Sequence, residues 1–271
     1  MPFENPALRA FLAQLQPEFI LAQALISRAD AGFQIRHVAD RNSPVEKLTP
    51  KNLMELRSLA DSTNGNFRPL KSAPNLVGGW LFIARSEPEL ELALNTLYPG
   101  AIADWFAAQL PTPPVTHYRE FTARQTGMYR ITTMLSDTQA ADVTRACCNE
   151  KFCWKHRLWT VPGLAPDHSE KKSSIPCFEP CALLLEFART ATRLEQEKSS
   201  TGNDPFQIPE SIPEAIALAR QIEAALSNSA TVASEADFAS PQNPRRLQLV
   251  LEKLRPLLDA INGRKAPVTK S

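Results

Sequence analysis

All five cysteines of this 271-residue chain fall within residues 147–181, and no other sequence feature constrains the fold as strongly. Free buried cysteines behave as small apolar residues and would be spread over several elements. Here they form two close groups. Cys147, Cys148 and Cys153 lie in ACCNEKFCWKHRLW, Cys177 and Cys181 lie in IPCFEPCALLLEFAR, and a polar run joins the two. Gathered thiolates of this kind point to a metal centre that ties two segments together.

The spacings are Cys148-x4-Cys153 and Cys177-x3-Cys181. Four thiolates close a tetrahedral zinc site or hold a [4Fe-4S] cube. Structural zinc sites usually draw ligand pairs from C-x2-C knuckles, which are absent here. The wider spacing suits the more separated corners of a cube; zinc stands as the alternative. Neighbouring side chains diverge on a helix, so Cys147 and Cys148 do not both address one centre. The expected ligands are Cys148, Cys153, Cys177 and Cys181, with Cys147 as the alternative to Cys148. Cys177 and Cys181, at i and i+4, are expected on one face of a helical turn, stiffened by Pro176 and Pro180.

The surroundings suit a sheltered anionic centre. Phe152, Trp154, Leu158, Trp159 and Phe178 exclude water, and Arg145, Lys151, Lys155, His156 and Arg157 supply positive charge. His117, His156 and His168 form no ligand pair and read as structural. A cysteine nucleophile would need a base and an activated thiol, and five clustered thiols exceed that need. No phosphate-binding loop, dinucleotide fingerprint or acid pair is present, so no catalytic residue is assigned.

Lysine plus arginine number 30 against 29 acidic residues, which disfavours nucleic acid as a partner. The N-terminus lacks a basic region followed by an apolar one, and no apolar run is long enough to span a bilayer. These features lead us to expect a protein of the reducing cytoplasm, away from membranes, where cysteines serve metals rather than disulfides.

Read in order, residues 1–112 form a small mixed α/β domain. Apolar runs at 19–28 and 33–39 flank Asp30-Ala31-Gly32, a hairpin turn. Thr49 and Pro50 start a helix bearing Leu53, Leu56 and Leu59. After Gly78-Gly79, residues 80–84 read as a buried strand. Ser86 opens a helix through Leu90, Leu94 and Leu97, stopped by Tyr98-Pro99-Gly100, and a short helix carries Trp105 and Phe106. The prolines at 111, 113 and 114 mark the boundary.

Residues 113–200 form a mainly helical domain containing the cysteines. It opens on HYREFTARQTGMYRITTML, where Arg119, Arg124 and Arg130, with Arg145 further on, make a carboxylate-binding set for an anionic substrate such as a tetrapyrrole. With Tyr118, Tyr129, Trp154 and Trp159, the same segment gives the nucleic-acid alternative. Ser136 or Asp137 caps a helix leading to the first cysteines, and an amphipathic helix follows Cys181. Residues 201–271 hold a helical pair, 213–226 and 244–261, with Pro256 expected to kink or shorten the second, and a disordered tail. The fold class is α+β.

RQTGMYRITTML, ACCNEKFCWKHRLW and IPCFEPCALLLEFAR together resemble the C-terminal [4Fe-4S] cluster-binding module of a branch of CbiX/SirB-type sirohydrochlorin chelatase relatives. FQIRHVAD, FRPLKSAPNLVGGW and YPGAIADW resemble the stabilising domain adjoining that module. The resemblance spans roughly residues 15–195 and implies a cluster held by these cysteines, with a redox or accessory role in sirohaem or cobalamin metabolism. Those relatives carry a chelatase domain ahead of the stabilising domain, which this sequence is expected to lack. The partners implied are an electron donor or acceptor protein, a separate chelatase and an anionic tetrapyrrole.

Overall fold

The computed structural model describes residues 5–22, 24–42, 51–53, 80–121, 130–150, 152–153, 155–167, 175–196, 208–209, 211–228 and 242–263. The fold is α+β. Its compact units interleave along the sequence: one comprises Met1–His117, Cys153–Thr160 and Pro166–Glu179, the other Tyr118–Phe152, Val161–Ala165 and Pro180–Ser271.

In the first unit, helix α1 (Pro6–Gln14) starts where Asn5 accepts a hydrogen bond from the Ala7 N–H. An antiparallel sheet follows in the order β1 (Glu18–Leu21), β2 (Ala24–Ala29), β3 (Gly32–His37), β4 (Leu81–Ala84). The apolar run 19–28 is thus two strands rather than one. The chain reverses at Ala22, whose φ of 52° lies in the left-handed region. Ala22 carries none of the usual turn chemistry, so the run reads as continuous in the sequence. The β2–β3 hairpin turns at Asp30-Ala31 as expected, with Ala29 opposite Gly32.

Ser86 caps α2 (Glu87–Leu97) by accepting the Glu89 N–H, and buries Leu90, Leu94 and Leu97 on one face. Gly100, at φ 74°, then opens α3 (Ala101–Ala108). Phe11, Phe19 and Trp105 meet edge to face, with ring centroids 5.0–6.2 Å apart. The helix expected from Thr49 lies largely outside the described residues, as does Gly78-Gly79.

This unit also receives a parallel ribbon from later in the chain, β5 (Lys155–Arg157) beside β6 (Ile175–Cys177). Ile175, only 1% exposed, joins the same core as Phe11, Ile26, Ile35 and Trp80.

In the second unit, a short α4 (Ile131–Met134) precedes α5 (Asp137–Cys147). The expected cap is a full capping box: Ser136 accepts the Gln139 N–H, and Gln139 accepts the Ser136 N–H. Helices α6 (Ala182–Gln196), α7 (Ile212–Asn228) and α8 (Pro244–Gly263) complete it. Helix α8 runs on through Pro256 rather than ending there. Ala215, Ala219, Ile222 and Leu226 of α7 pack with Val250 and Leu254 of α8 and with Phe152. Among the described residues, no helix is long and apolar enough to cross a membrane.

Gly32 lies close against the end of β4. A Cβ built there, at φ 125°, would lie 2.3 Å from the Ala84 carbonyl oxygen, a backbone atom with little room to yield. Gly32→Ala is therefore expected to destabilise the first unit by about 2 kcal/mol or more, read from the shift in urea midpoint.

Candidate metal centre

In the first unit, Cys153 and Cys177 are both partly exposed and neither is in a disulfide. Cys153 precedes β5 by two residues and Cys177 ends β6. The register pairs Lys155 with Ile175, His156 with Pro176 and Arg157 with Cys177. Paired residues, and residues two apart on a strand, face the same side. Lys155, Arg157 and Cys177 therefore share one face. The Leu158 N–H donates to the Cys177 carbonyl at 2.9 Å, and the Cys177 thiol donates to the Glu179 carbonyl at 3.2 Å.

Positive charge is fixed beside these sulfurs. Lys155 Nζ lies 3.1 Å from Asp104 Oδ2 on α3. Burial by itself would push the Lys155 ammonium down, but Cys177, then Asp104 and Cys153, act against it and raise it above the ordinary lysine value. The buried Arg157 donates to the Trp159 carbonyl and lies 5.0 Å from the centroid of the Trp159 ring. Trp159 is 1% exposed; Trp154, Lys151 and His168 lie outside the described residues.

The second unit holds the other three cysteines. Cys147 is 3% exposed, on the buried face of the last turn of α5. Cys148 follows at the C-cap, partly exposed, with its N–H donating to the Thr144 carbonyl at 2.8 Å. Cys181 is exposed and sits just before α6, where its sulfur accepts the Leu184 N–H at 3.4 Å and its carbonyl accepts the Leu185 N–H at 3.1 Å. The stretch from Cys177 to Cys181 is not the helical turn expected from its spacing. It runs from the end of a strand to the start of a helix, and Pro180 disfavours helical backbone at the residue before it. Among the described residues, no three His, Cys, Asp or Glu side chains stand close enough to hold a metal ion as they are.

Two of the four arginines, Arg119 and Arg145, are paired within the chain. Arg119 bonds Asp137 at 2.7 Å and the Leu135 carbonyl at 3.1 Å, and lies 5.1 Å from the centroid of the Tyr118 ring. Arg145 bonds Asp142 at 3.1 Å and the Gly163 carbonyl at 3.2 Å. Arg130 is exposed at the start of α4, and Arg124 lies outside the described residues.

Sequence patterns did not single out Asp104, Asn243 or Arg245. Arg245, 3% exposed on α8, donates to the Phe152 carbonyl at 2.8 Å and lies 5.2 Å from the centroid of its ring. Asn243 caps α8 by accepting the Arg245 and Arg246 N–H groups. A Ser-Pro-Gln-Asn-Pro run does signal a helix start, but nothing local marks Arg245 as buried.

Two adjacent stretches of the chain are similar to known families. Residues 7–109 match the DR2241 stabilising domain, and residues 111–190 match a 4Fe-4S iron-sulfur cluster binding domain. Along this chain, a stretch similar to the DR2241 stabilising domain is thus followed directly by one similar to a 4Fe-4S cluster binding domain. A solved structure of DR2241 from Deinococcus radiodurans, described as a multi-domain protein with structural similarity to chelatases and two additional novel domains, superposes with a TM-score of 0.57 at 26% identity. The match covers 71% of this chain and 42% of that one. No curated protein matches the sequence significantly.

The stabilising-domain match covers α1, the four-stranded sheet, α2 and α3. The cluster-binding match contains every cysteine, and its β5–β6 ribbon is built into the core of the stabilising domain through Ile175. Helices α7 and α8 lie beyond both matches, yet α8 holds the backbone of Phe152, next to Cys153, through Arg245.

Tyr118, within the cluster-binding match, gives this region a pH signature. Burial first, and then hydrogen-bond donation to Asp137 at 3.1 Å, push its phenol up to about 12; the nearby Arg119 charge opposes this only in part. The folded state therefore keeps the proton while the unfolded chain, with an ordinary tyrosine, releases it from pH 10 upward. Stability should fall by about 1–2 kcal/mol between pH 10 and pH 12. In Tyr118→Phe that part of the decline should vanish from the pH dependence of urea unfolding.

Proposed function

We propose that this chain is a [4Fe-4S] protein acting as a redox or cluster-carrying accessory in the reducing cytoplasm, linked to tetrapyrrole chemistry of the sirohaem or cobalamin kind. The match of residues 111–190 to a 4Fe-4S cluster binding domain carries the reading, because that stretch contains all five thiols. The proposed ligands are Cys148, Cys153, Cys177 and Cys181, each partly or fully exposed at the end of an element. Cys148 is preferred to Cys147 because the Cys147 side chain is packed on the inner face of α5. Soft thiolates fit iron–sulfur chemistry, and the ammonium of Lys155 with the N–H of Leu184 directed at Cys181 suits an anionic, sulfur-rich group. When bound, such a cluster supplies a one-electron centre; this chain's residues hold it, balance its charge and limit its exposure to water.

Anaerobic reconstitution should give brown protein with about four iron and four acid-labile sulfide per chain. Cys148→Ser, Cys153→Ser, Cys177→Ser and Cys181→Ser should each lose most of the iron, while Cys147→Ser keeps it. Colourless protein with one zinc per chain would overturn the reading.

The tetrapyrrole link draws on DR2241, whose description notes similarity to chelatases; this chain spans 42% of that protein. A polycarboxylate tetrapyrrole would meet the arginine-rich segment, with Arg124 and Arg130 as the proposed contacts, since Arg119 and Arg145 already hold carboxylates of this chain. Titration with sirohydrochlorin should show binding that weakens about tenfold or more in the Arg124→Ala, Arg130→Ala double variant, the loss expected for two charge-assisted contacts. Unchanged affinity would remove the substrate role from this segment.

A further inference from the structure

We infer that Lys155, anchored by Asp104, is a positioning residue that presents a fixed positive charge to the sulfurs of Cys177 and Cys153 and so tunes the centre they serve. The inference rests on the cluster reading above for its redox consequence, but its local claim concerns only the chain's own residues. Three observations carry it. The parallel register sets Lys155 diagonal to Cys177 on one face of the β5–β6 ribbon, where diagonal neighbours lie roughly 7–8 Å apart at Cα, within reach of a lysine side chain. Cys153 is two residues before Lys155 in the same segment. The ammonium is held 3.1 Å from Asp104 Oδ2, a residue of α3 and of the stabilising-domain match, while Lys155 itself belongs to the cluster-binding match.

Asp104 has a distinct part in this. A lysine tip has several rotamers to choose from, and a surface lysine would spend its time in water. The carboxylate fixes the ammonium against the ribbon without removing its charge. The stabilising domain thereby contributes electrostatics as well as packing to the cysteine-bearing strands. A cation beside thiolate-bound iron and sulfur favours the more negative, reduced state, so its removal should make reduction harder.

Two measurements on the full chain test this separately. In the cluster-free protein, alkylation of each cysteine by anionic iodoacetate and by neutral iodoacetamide is followed by peptide mass spectrometry. Both reagents are attacked by the same thiolate with loss of iodide, so the ratio of their rates cancels thiol ionisation and exposure and reports local charge. At Cys177 and Cys153 the iodoacetate-to-iodoacetamide ratio should fall about two- to fivefold in Lys155→Met, as expected for one unit charge at this range in a water-rich setting. Lys155→Arg should restore it, and Cys181 and Cys148 serve as internal references. Lys155→Gln, which keeps a donor for Asp104, provides the same test should Lys155→Met fold poorly.

In the reconstituted protein, iron content should be unchanged in Lys155→Gln, the midpoint potential should move to more negative values, and Lys155→Arg should stay near the wild type. A ratio at Cys177 and Cys153 that is unmoved in both neutral variants would overturn the inference, as would an unmoved potential in iron-replete protein. Wild-type protein that takes up no iron would instead overturn the cluster reading, and the alkylation ratio would still decide the role of Lys155.

Discussion

The placement of Cys153 and Cys177 depends on a three-residue strand finding its way into a core built by another part of the chain. Ile175 is nearly inaccessible to water among Phe11, Ile26, Ile35 and Trp80. Burying an isoleucine side chain is worth about 1.5–3 kcal/mol. That is enough to hold the end of a short strand whose own ladder is brief and whose central residue, Pro176, has no N–H to offer. Once Ile175 is seated, Cys177 two residues later has its side fixed by the pleat, and β5 is aligned on it by register. The Lys155–Asp104 pair adds a polar tie at the same place.

A second device works from the opposite end of the sequence. A buried guanidinium on α8 is costly unless its donors find acceptors. Arg245 places one on the Phe152 carbonyl and lies 5.2 Å from the centroid of the Phe152 ring, while Asn243 organises the helix start from which Arg245 projects. The helical pair is in this way packed on the residue preceding Cys153. Its small alanines on α7 and branched residues on α8 allow close helix approach, which is why a stretch beyond both domain matches still shares a core with Phe152.

Much of this was legible beforehand wherever one local rule governs. Ser86 and Ser136 announced helices by capping chemistry, the Asp30-Ala31-Gly32 turn announced a hairpin, and apolar spacing located the helices after Cys181. What escaped was set by contacts distant in sequence or by backbone conformations without a residue signature. Ala22 reverses the chain although alanine rarely takes a positive φ. The parallel pairing of 155–157 with 175–177 joins two runs too short for any periodicity to register. The helical reading of 177–181 did have a warning in it: the proline at 180 restricts residue 179, and that restriction outweighs an i, i+4 spacing that any loop can also produce.

The thiols themselves show why sequence could find the cysteines but not orient them. Cys148 closes α5, Cys153 precedes β5, Cys177 ends β6 and Cys181 precedes α6. Cys148, Cys153 and Cys181 stand just outside a regular element, so neither the 3.6 nor the 2.0 repeat says which way their side chains point; Cys177, still inside β6, has its side set by the pleat. Termini have a compensating virtue: a side chain there leaves the packed face of its element without disturbing the core, while its Cα is still fixed by that element. Cys147 makes the contrast within one peptide bond. It falls on the helical repeat, and the repeat turns its side chain inward among Ala140, Val143 and Ala146, the small residues of a packing face. A residue one step earlier in a rigid helix serves the core; one step later, past the last helical turn, the side chain is partly exposed.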